Sequence, residues 1–392
     1  MNTKLKTSLI TLVITAIALP SLGQAATFYY GGWMPYWKKI SGTQDTSLHI
    51  EKLNEVSPFS YEVKPDGTLV DKLKITSDPF WIPWFAAIRD LKIKNIPTIA
   101  WFYGDEIHAL LSNSKKRVAH ENAILKLVKD NKFDGIDIDY EGKLSDTKDY
   151  FSTFIYGLAI RLHPIGKKLA CTIEPRSPDE NLIVKGHSLE EINQRANDYA
   201  ILNKYCDEVR LMAYDQGTID PFLNAAKGLS VPYAPVADPV WVDKVIRTTI
   251  SGGISKSKLM LGVPTYGYEY VVSKDIYGNF VYTRSRSWTY EQAILLAAAL
   301  GVTPERTSSG ELAFTYPQNM SQNTVSSLAQ LFSLTLSVNA FNQSATSTRI
   351  VWFSDAQAAV DKINLAKKYG LRGVYFFKFD GDVDPALWGK LK

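Results

Sequence analysis

The chain has 392 residues, 45% of them apolar and 21% charged, with 44 Lys and Arg against 40 Asp and Glu. That length supports one large barrel or two modest domains with buried cores. A formal charge of +4 with no Lys/Arg-rich block argues against nucleic acid as a partner. The 9 Trp and 21 Tyr lie often near Gly and Pro, where loops begin, and serve equally as core filler or as surfaces for sugar rings.

In chain order, Lys4 and Lys6 precede an apolar run from Leu9 to Leu19 and the small-residue site Gly23-Gln24-Ala25. This pattern predicts a signal peptide over 1–25, cleaved after Ala25. Lys4 and Lys6 leave with it and no acid does, so the charge falls to +2. No Cys stands at the cleavage point and no later run is long and apolar enough to span a bilayer. A secreted or periplasmic, soluble monomer without a membrane anchor is expected. Of the two cysteines, Cys171 falls in a predicted strand and Cys206 just before another. A chain of this size does not need a bridge, which favours two separate thiols.

Eight short apolar runs then recur, starting at Phe28, Glu55, Ile96, Phe133, Lys168, Glu208, Leu259 and Gly373. Between them, stretches such as RVAHENAILKLVKDN and DAQAAVDKINLAKKYG place apolar residues at helical spacing. Alternating strand and helix implies a parallel sheet, and eight units suggest an α/β fold closed into a (β/α)8 TIM barrel over 26–392. An open doubly wound sheet lacks support, since no G-x-G-x-x-G follows any strand. The interval before the eighth strand is too long for a simple crossover. It contains YEQAILLAAALG, ELAFTYP and TRIVWF, and predicts a small α+β insertion over 269–350, with a polar stretch at 320–347.

The fourth run, FDGIDIDYEG, is the most informative. Alternation places Asp137, Asp139 and Glu141 on one face and Ile136, Ile138 and Tyr140 on the other. If the apolar set packs on the helices, the acids climb the barrel interior toward its C-terminal mouth, where such barrels carry their active sites. Burying one unpaired carboxylate costs several kcal/mol, on the order of an ion's desolvation penalty. A row of them shares protons, and at least one pKa rises, as a general acid near neutral pH requires. A calcium loop would need polar residues or Gly between its ligands, so neither a metal nor any other cofactor is expected. Asp134 has the opposite parity and suits a structural role.

DGIDIDYE resembles the D-x-x-D-x-D-x-E signature of the fourth strand in glycoside hydrolase family 18, the chitinases and their relatives. LMAYD, at 211–215, is similar to that family's M-x-Y-D motif on the sixth strand, and GVPTYGY resembles its seventh-strand motif. WMPYW, HALLSN, FDGIDIDYEG and VWFSDAQ together look like the branch of spore-cortex and other peptidoglycan N-acetylglucosaminidases. Two departures stand out: the third strand ends AWFYGDE where the family has S-x-G-G, and Phe377 stands where the eighth strand usually carries Trp.

The resemblance implies cleavage after N-acetylglucosamine in chitin-like or peptidoglycan glycan, with the substrate's own 2-acetamido group as nucleophile. It makes Glu141 the acid, then the base. Asp139 would orient the acetamido group, Asp137 would share a proton with Asp139, and Tyr214 would donate to the acetamido oxygen. Asp215, Met212 and Phe377 would line the sugar pocket. Trp33, Tyr36, Trp37, Trp101, Tyr103, Tyr266 and Tyr268 sit at strand ends, where stacking on sugar and core packing are equally open. Trp81 and Trp84 suit a helix start, and Glu174 suits either the cleft or a pair with Arg176. His49, His108, His120, His163 and His187 do not cluster and are read as surface or helix-end residues. The alternatives are a lectin-like binder that has lost turnover, which the intact Glu141 disfavours, and an endo-β-N-acetylglucosaminidase on N-glycan cores.

Overall fold

The computed structural model describes residues 27–75, 77–176, 195–219, 227, 231–317 and 348–391. The predicted leader, His187 and the whole 320–347 stretch lie outside them. All eight predicted strands form: β1 (Tyr29–Pro35), β2 (Glu55–Val63), β3 (Thr98–Trp101), β4 (Gly135–Tyr140), β5 (Lys168–Ile173), β6 (Glu208–Leu211), β7 (Leu259–Pro264) and β8 (Gly373–Phe377). Each pairs in parallel with the next, and β8 pairs with β1, so the sheet closes into the expected barrel. Helices such as Ser114–Asp130, Lys148–Leu162, Pro239–Ser251 and Ala356–Tyr369 cover its outside. Local chemistry sets their starts: Asn113, Asp238 and Asp355 each accept a backbone N–H of the first helical turn.

Alternation along the strands separates two cores. Ile136, Ile138 and Tyr140 are buried in the large layer between sheet and helices. On the other face, Trp33, Phe59, Ala100, Met260 and Tyr375 form a separate cluster that fills the barrel interior.

A second, antiparallel sheet carries strands Tyr266–Lys274, Phe280–Thr289, Glu305–Arg306, Leu312–Pro317 and Thr348–Phe353. Its helix, Tyr290–Leu300, opens with a capping box between Thr289 and Gln292. This is the insertion, and its strands start at Tyr266, directly after β7. The seventh-strand motif GVPTYGY is therefore split: Pro264 ends the barrel strand, and Tyr266 and Tyr268 belong to the insertion. Glu311 fastens the two parts. Fully buried, it accepts the N–H groups of Val236 and Ala237 at 2.8 and 2.9 Å and faces Lys362 at 3.4 Å.

The cysteines correct the sequence reading, since Cys171 and Cys206 are joined in a disulfide. Cys171 shares the outward parity of β5, and Cys206 ends the helix Tyr199–Tyr205 that crosses over that strand on its way to β6. The crossover brings the two thiols together under that helix, both nearly inaccessible.

Candidate active site

β4 carries the acidic row inward, as its parity requires. Glu141 continues the ladder beyond the strand, its N–H donating to the Trp101 carbonyl at 2.8 Å. The chain then turns sharply through Gly142, at φ +65, a conformation that glycine adopts without strain. Gly104, which opens the helix after β3, lies against this turn: a Cβ there would fall 2.3 Å from the Gly142 carbonyl oxygen.

A cavity of about 560 Å³ opens above the row, lined by Trp33, Tyr36, Trp37, Phe59, Glu62, Phe102, Asp139, Glu141, Glu174, Pro175, Met212, Tyr214, Asp215 and Phe377. Its walls thus come from the C-terminal ends of the barrel strands and the loops that follow. Phe377 stacks on Tyr214 with ring centres 5.4 Å apart and meets Trp33 edge-on at 5.9 Å.

The three acids of the row have different surroundings. Asp137 is fully buried at the cavity's base and saturated with donors. Its Oδ2 takes Trp33 Nε1 at 3.0 Å, Thr98 Oγ1 at 2.8 Å and Arg210 Nη1 at 3.0 Å, and its Oδ1 takes Thr172 Oγ1 at 2.8 Å. Asp139 is 3% exposed, and among the described residues its Oδ1 has no hydrogen-bond partner. Burial, then the Glu141, Asp137 and Glu174 carboxylates, push Asp139 well above the usual range, with Lys143 opposing. Burial and Glu174 raise Glu141 to about 7, again against Lys143.

Glu174, at the end of β5, lines the cavity, one of the two places its sequence position suits. It accepts the Gly142 N–H at 2.9 Å and Asn197 Nδ2 at 2.8 Å, with Lys143 Nζ at 3.4 Å. Its burial works to raise it, yet Lys143 and these donors hold it below the usual carboxylate range. Arg176 donates to the Asn197 carbonyl. Asp215 adopts φ +62, which Asp tolerates better than most residues, and accepts the Tyr266 hydroxyl at 2.5 Å. Burial raises its pKa and that of Tyr214, whose phenol faces four acids. Among the described residues, no group of His, Cys, Asp and Glu side chains is arranged to hold a metal ion.

A family model described as glycosyl hydrolases family 18 matches residues 27–382. The chain belongs to glycosyl hydrolase family 18. It is therefore a glycoside hydrolase with the barrel architecture of that family. A Bacillus subtilis protein provisionally named sporulation-specific glycosylase YdhD is 21% identical over 379 residues, covering 95% of this chain and 76% of that one. Chitinase 1 of Aphanocladium album is 25% identical over 307 residues, with 70% of each chain covered. The crystal structure of the spore cortex-lytic enzyme SleL from Bacillus megaterium matches with a TM-score of 0.69 at 19% identity, covering 94% of this chain and 74% of that one.

Of the residues singled out from the sequence, Asp139, Glu141, Met212, Tyr214, Asp215, Phe377, Tyr36 and Trp37 meet at the cavity, with Asp137 directly beneath. Trp101, Tyr103, Tyr266 and Tyr268 do not line it. Trp101 is 1% exposed and faces the helices, edge-on to Tyr140 at 5.5 Å, with Nε1 donating to Glu106. Parity explains this: Thr98, Ala100 and Phe102 take the inner face of β3, so Trp101 takes the outer. Tyr103 is 63% exposed ahead of the helix Gly104–Leu111. Tyr266 is buried behind Asp215.

The family 18 site also uses residues that the sequence reading passed over: Phe59, Glu62 and Phe102 in the wall, and Thr98, Thr172 and Arg210 on Asp137. Strand parity would have marked all three Asp137 partners as inward-facing. His120 is a further correction, being buried at 3% exposure between the Gly67 carbonyl and the Tyr140 hydroxyl; burial lowers it to about 4. Asp134 takes the expected structural place, accepting the Asn95 N–H and Lys94 Nζ at the foot of β4. Trp81 and Trp84 stand in the first turn of the helix Trp81–Asp90.

Proposed function

We propose that this protein is an exported hydrolase of N-acetylglucosamine-containing glycans, chitin-like or peptidoglycan, that retains anomeric configuration by substrate-assisted catalysis. The observation that carries the reading is the pair Asp139–Glu141. One carboxyl is buried beside the cavity with an unsatisfied oxygen, and its neighbour two residues on is held near neutral pKa. Glu141, protonated in the resting site, delivers its proton to the leaving glycosidic oxygen. The substrate's acetamido carbonyl attacks the anomeric carbon as that bond breaks, with the proximity advantage of an internal nucleophile. Asp139 Oδ1 supplies the acceptor that the acetamido N–H needs and offsets the positive charge growing on the oxazolinium ring. Tyr214 donates to the acetamido oxygen. Water activated by the now ionised Glu141 then opens the ring and restores the acid.

Phe377 and the exposed Trp37 offer faces on which sugar rings can stack. The leader-like residues 1–25 and the Cys171–Cys206 bridge support export to an oxidising compartment. The test is incubation with chitin oligosaccharides and, separately, with purified peptidoglycan, reading product masses. Fragments ending in reducing N-acetylglucosamine are expected from at least one substrate. Binding to both without any product would replace this reading with that of a glycan-binding protein.

A further inference from the structure

Arg210 lies in the barrel interior on β6, between Glu208 and Met212 in the inward parity, and is wholly inaccessible. It cannot touch a sugar. One end of its guanidinium, Nη1, donates to Ser57 Oγ at 2.8 Å and meets Asp137 Oδ2 at 3.0 Å. The other, Nη2, donates to Glu55 Oε1 at 2.8 Å and approaches Glu208 Oε2 at 3.5 Å. The plane of the fork packs over the Tyr375 ring, 3.9 Å from its centre. Thus the side chain is fixed from below by two carboxylates and from one face by an aromatic ring, with one nitrogen left to face the acidic row.

We infer that Arg210 is a positioning residue for catalysis, holding Asp137 from the barrel floor as a fixed acceptor beneath Asp139. Asp137 Oδ2 is then occupied by three donors and cannot turn, while Asp139, whose Oδ1 has no hydrogen-bond partner among the described residues, is left to reorient toward the substrate. The floor of the barrel thereby sets the placement of the row without contacting the glycan. A lysine cannot replace it, since a single ammonium does not reach Asp137 and Glu55 with separate, coplanar donors. The inference rests on the hydrolase reading given above.

Arg210→Lys keeps the charge that Glu55 and Glu208 require while removing the fork. Its kcat on the glycan cleaved by the unmodified enzyme is expected to fall about 10–100-fold, the order of loss for a slightly displaced reacting group. KM should stay within about twofold, because ground-state contacts are untouched. Adding the change to Asp137→Asn should cost little more, since both act through one carboxyl. Unchanged kcat in Arg210→Lys, or full multiplication of the two losses, overturns the inference.

Should Arg210→Lys not fold, Thr172→Val gives the answer. With Arg210 as the main holder, its kcat drops less than about threefold, whereas a drop to the Asp137→Asn level assigns the task to the threonine instead. Absence of turnover by the unmodified enzyme on every glycan would count against the hydrolase reading alone. The crystal structure of the Arg210→Lys or Thr172→Val variant then decides the inference separately. In the first, Asp137 is expected to move, and an unmoved carboxyl refutes the role of Arg210. In the second it is expected to stay, and a moved carboxyl refutes it equally.

Discussion

At the floor of the barrel Glu55 and Glu208 are surrounded by Arg210, Lys168 and Arg372, whereas at the mouth Asp139 and Glu141 face a cavity with Lys143 as counter-charge. The same strands and the same parity deliver both sets. At the floor, Arg210 and Lys168 outweigh the burial that would raise Glu208 and bring it down to about 2, while burial and Glu208 push its partner Glu55 up to about 7. At the mouth the neighbouring acids push Asp139 upward, and its Oδ1 has no hydrogen-bond partner among the described residues. Burial of acids is thus a matter of compensation. Glu208, fully compensated, stays ionised and holds the barrel, and Glu55 beside it keeps its proton away from any cavity, whereas the raised acids at the mouth stand at the cavity itself.

The widest gap between the two ends should appear in Glu141→Gln. Turnover is expected to fall about 10³-fold, within the usual contribution of a general acid, while calorimetric affinity for chitin oligosaccharide persists. Its stability should move the other way. Glu141 keeps a proton in the folded state between its ordinary value of 4.5 and about 7, which the unfolded chain has already released. Stability therefore declines as pH rises through that window, and the glutamine variant should melt higher than the parent at pH 8. A parent-like rate in this variant would erase the functional side of the comparison.

Next in size is Glu208→Gln at the floor. Breaking a buried ion network costs about 3–5 kcal/mol, readable as a lower urea midpoint, with a much smaller loss of kcat per folded molecule than at Glu141. The sign follows from its low folded pKa: the parent's advantage is present above the unfolded value and fades as pH falls toward 2. Reduction of Cys171–Cys206 should lower stability by about 2–4 kcal/mol while leaving turnover nearly intact, since the bridge lies under the helix layer rather than at the mouth. The smallest and sharpest effect is in the pH profile. kcat/KM of the parent should decline above about pH 7 as Glu141 loses its proton. Glu174→Gln removes one of the charges that raise it, so the alkaline limb should move to lower pH; a limb that stays in place would separate Glu174 from the acid.

Much of this was legible in the sequence because period two is a strong constraint. DGIDIDYE could only send Asp137, Asp139 and Glu141 inward if Ile136, Ile138 and Tyr140 packed outward, and the barrel followed from eight such runs. The misplaced residues share one cause. Trp101 and Tyr103 were judged by closeness to a strand end, where the parity of Thr98 and Ala100 already sends Trp101 to the helices. Against its expected place at the surface, His120 belongs with Ile124 and Val128 to a buried stripe at spacing four. Arg210 was hidden for a different reason. Its parity was visible, but its partners Glu55 and Ser57 lie more than 150 residues away, and only the closed barrel brings them together. The disulfide was equally non-local, created by a crossover whose end point the strand pattern does not reveal.

The contact between Gly104 and Gly142 limits how this mouth can diversify. Any side chain at 104 would press on the hinge just past Glu141 and tilt the acid itself, so the two loops are bound to change together or not at all. Phe102 and Tyr103, two and one positions earlier and both open to solvent, carry no such restraint. A family member seeking a new glycan could therefore remodel those two positions freely while the glycine behind them stays as it is.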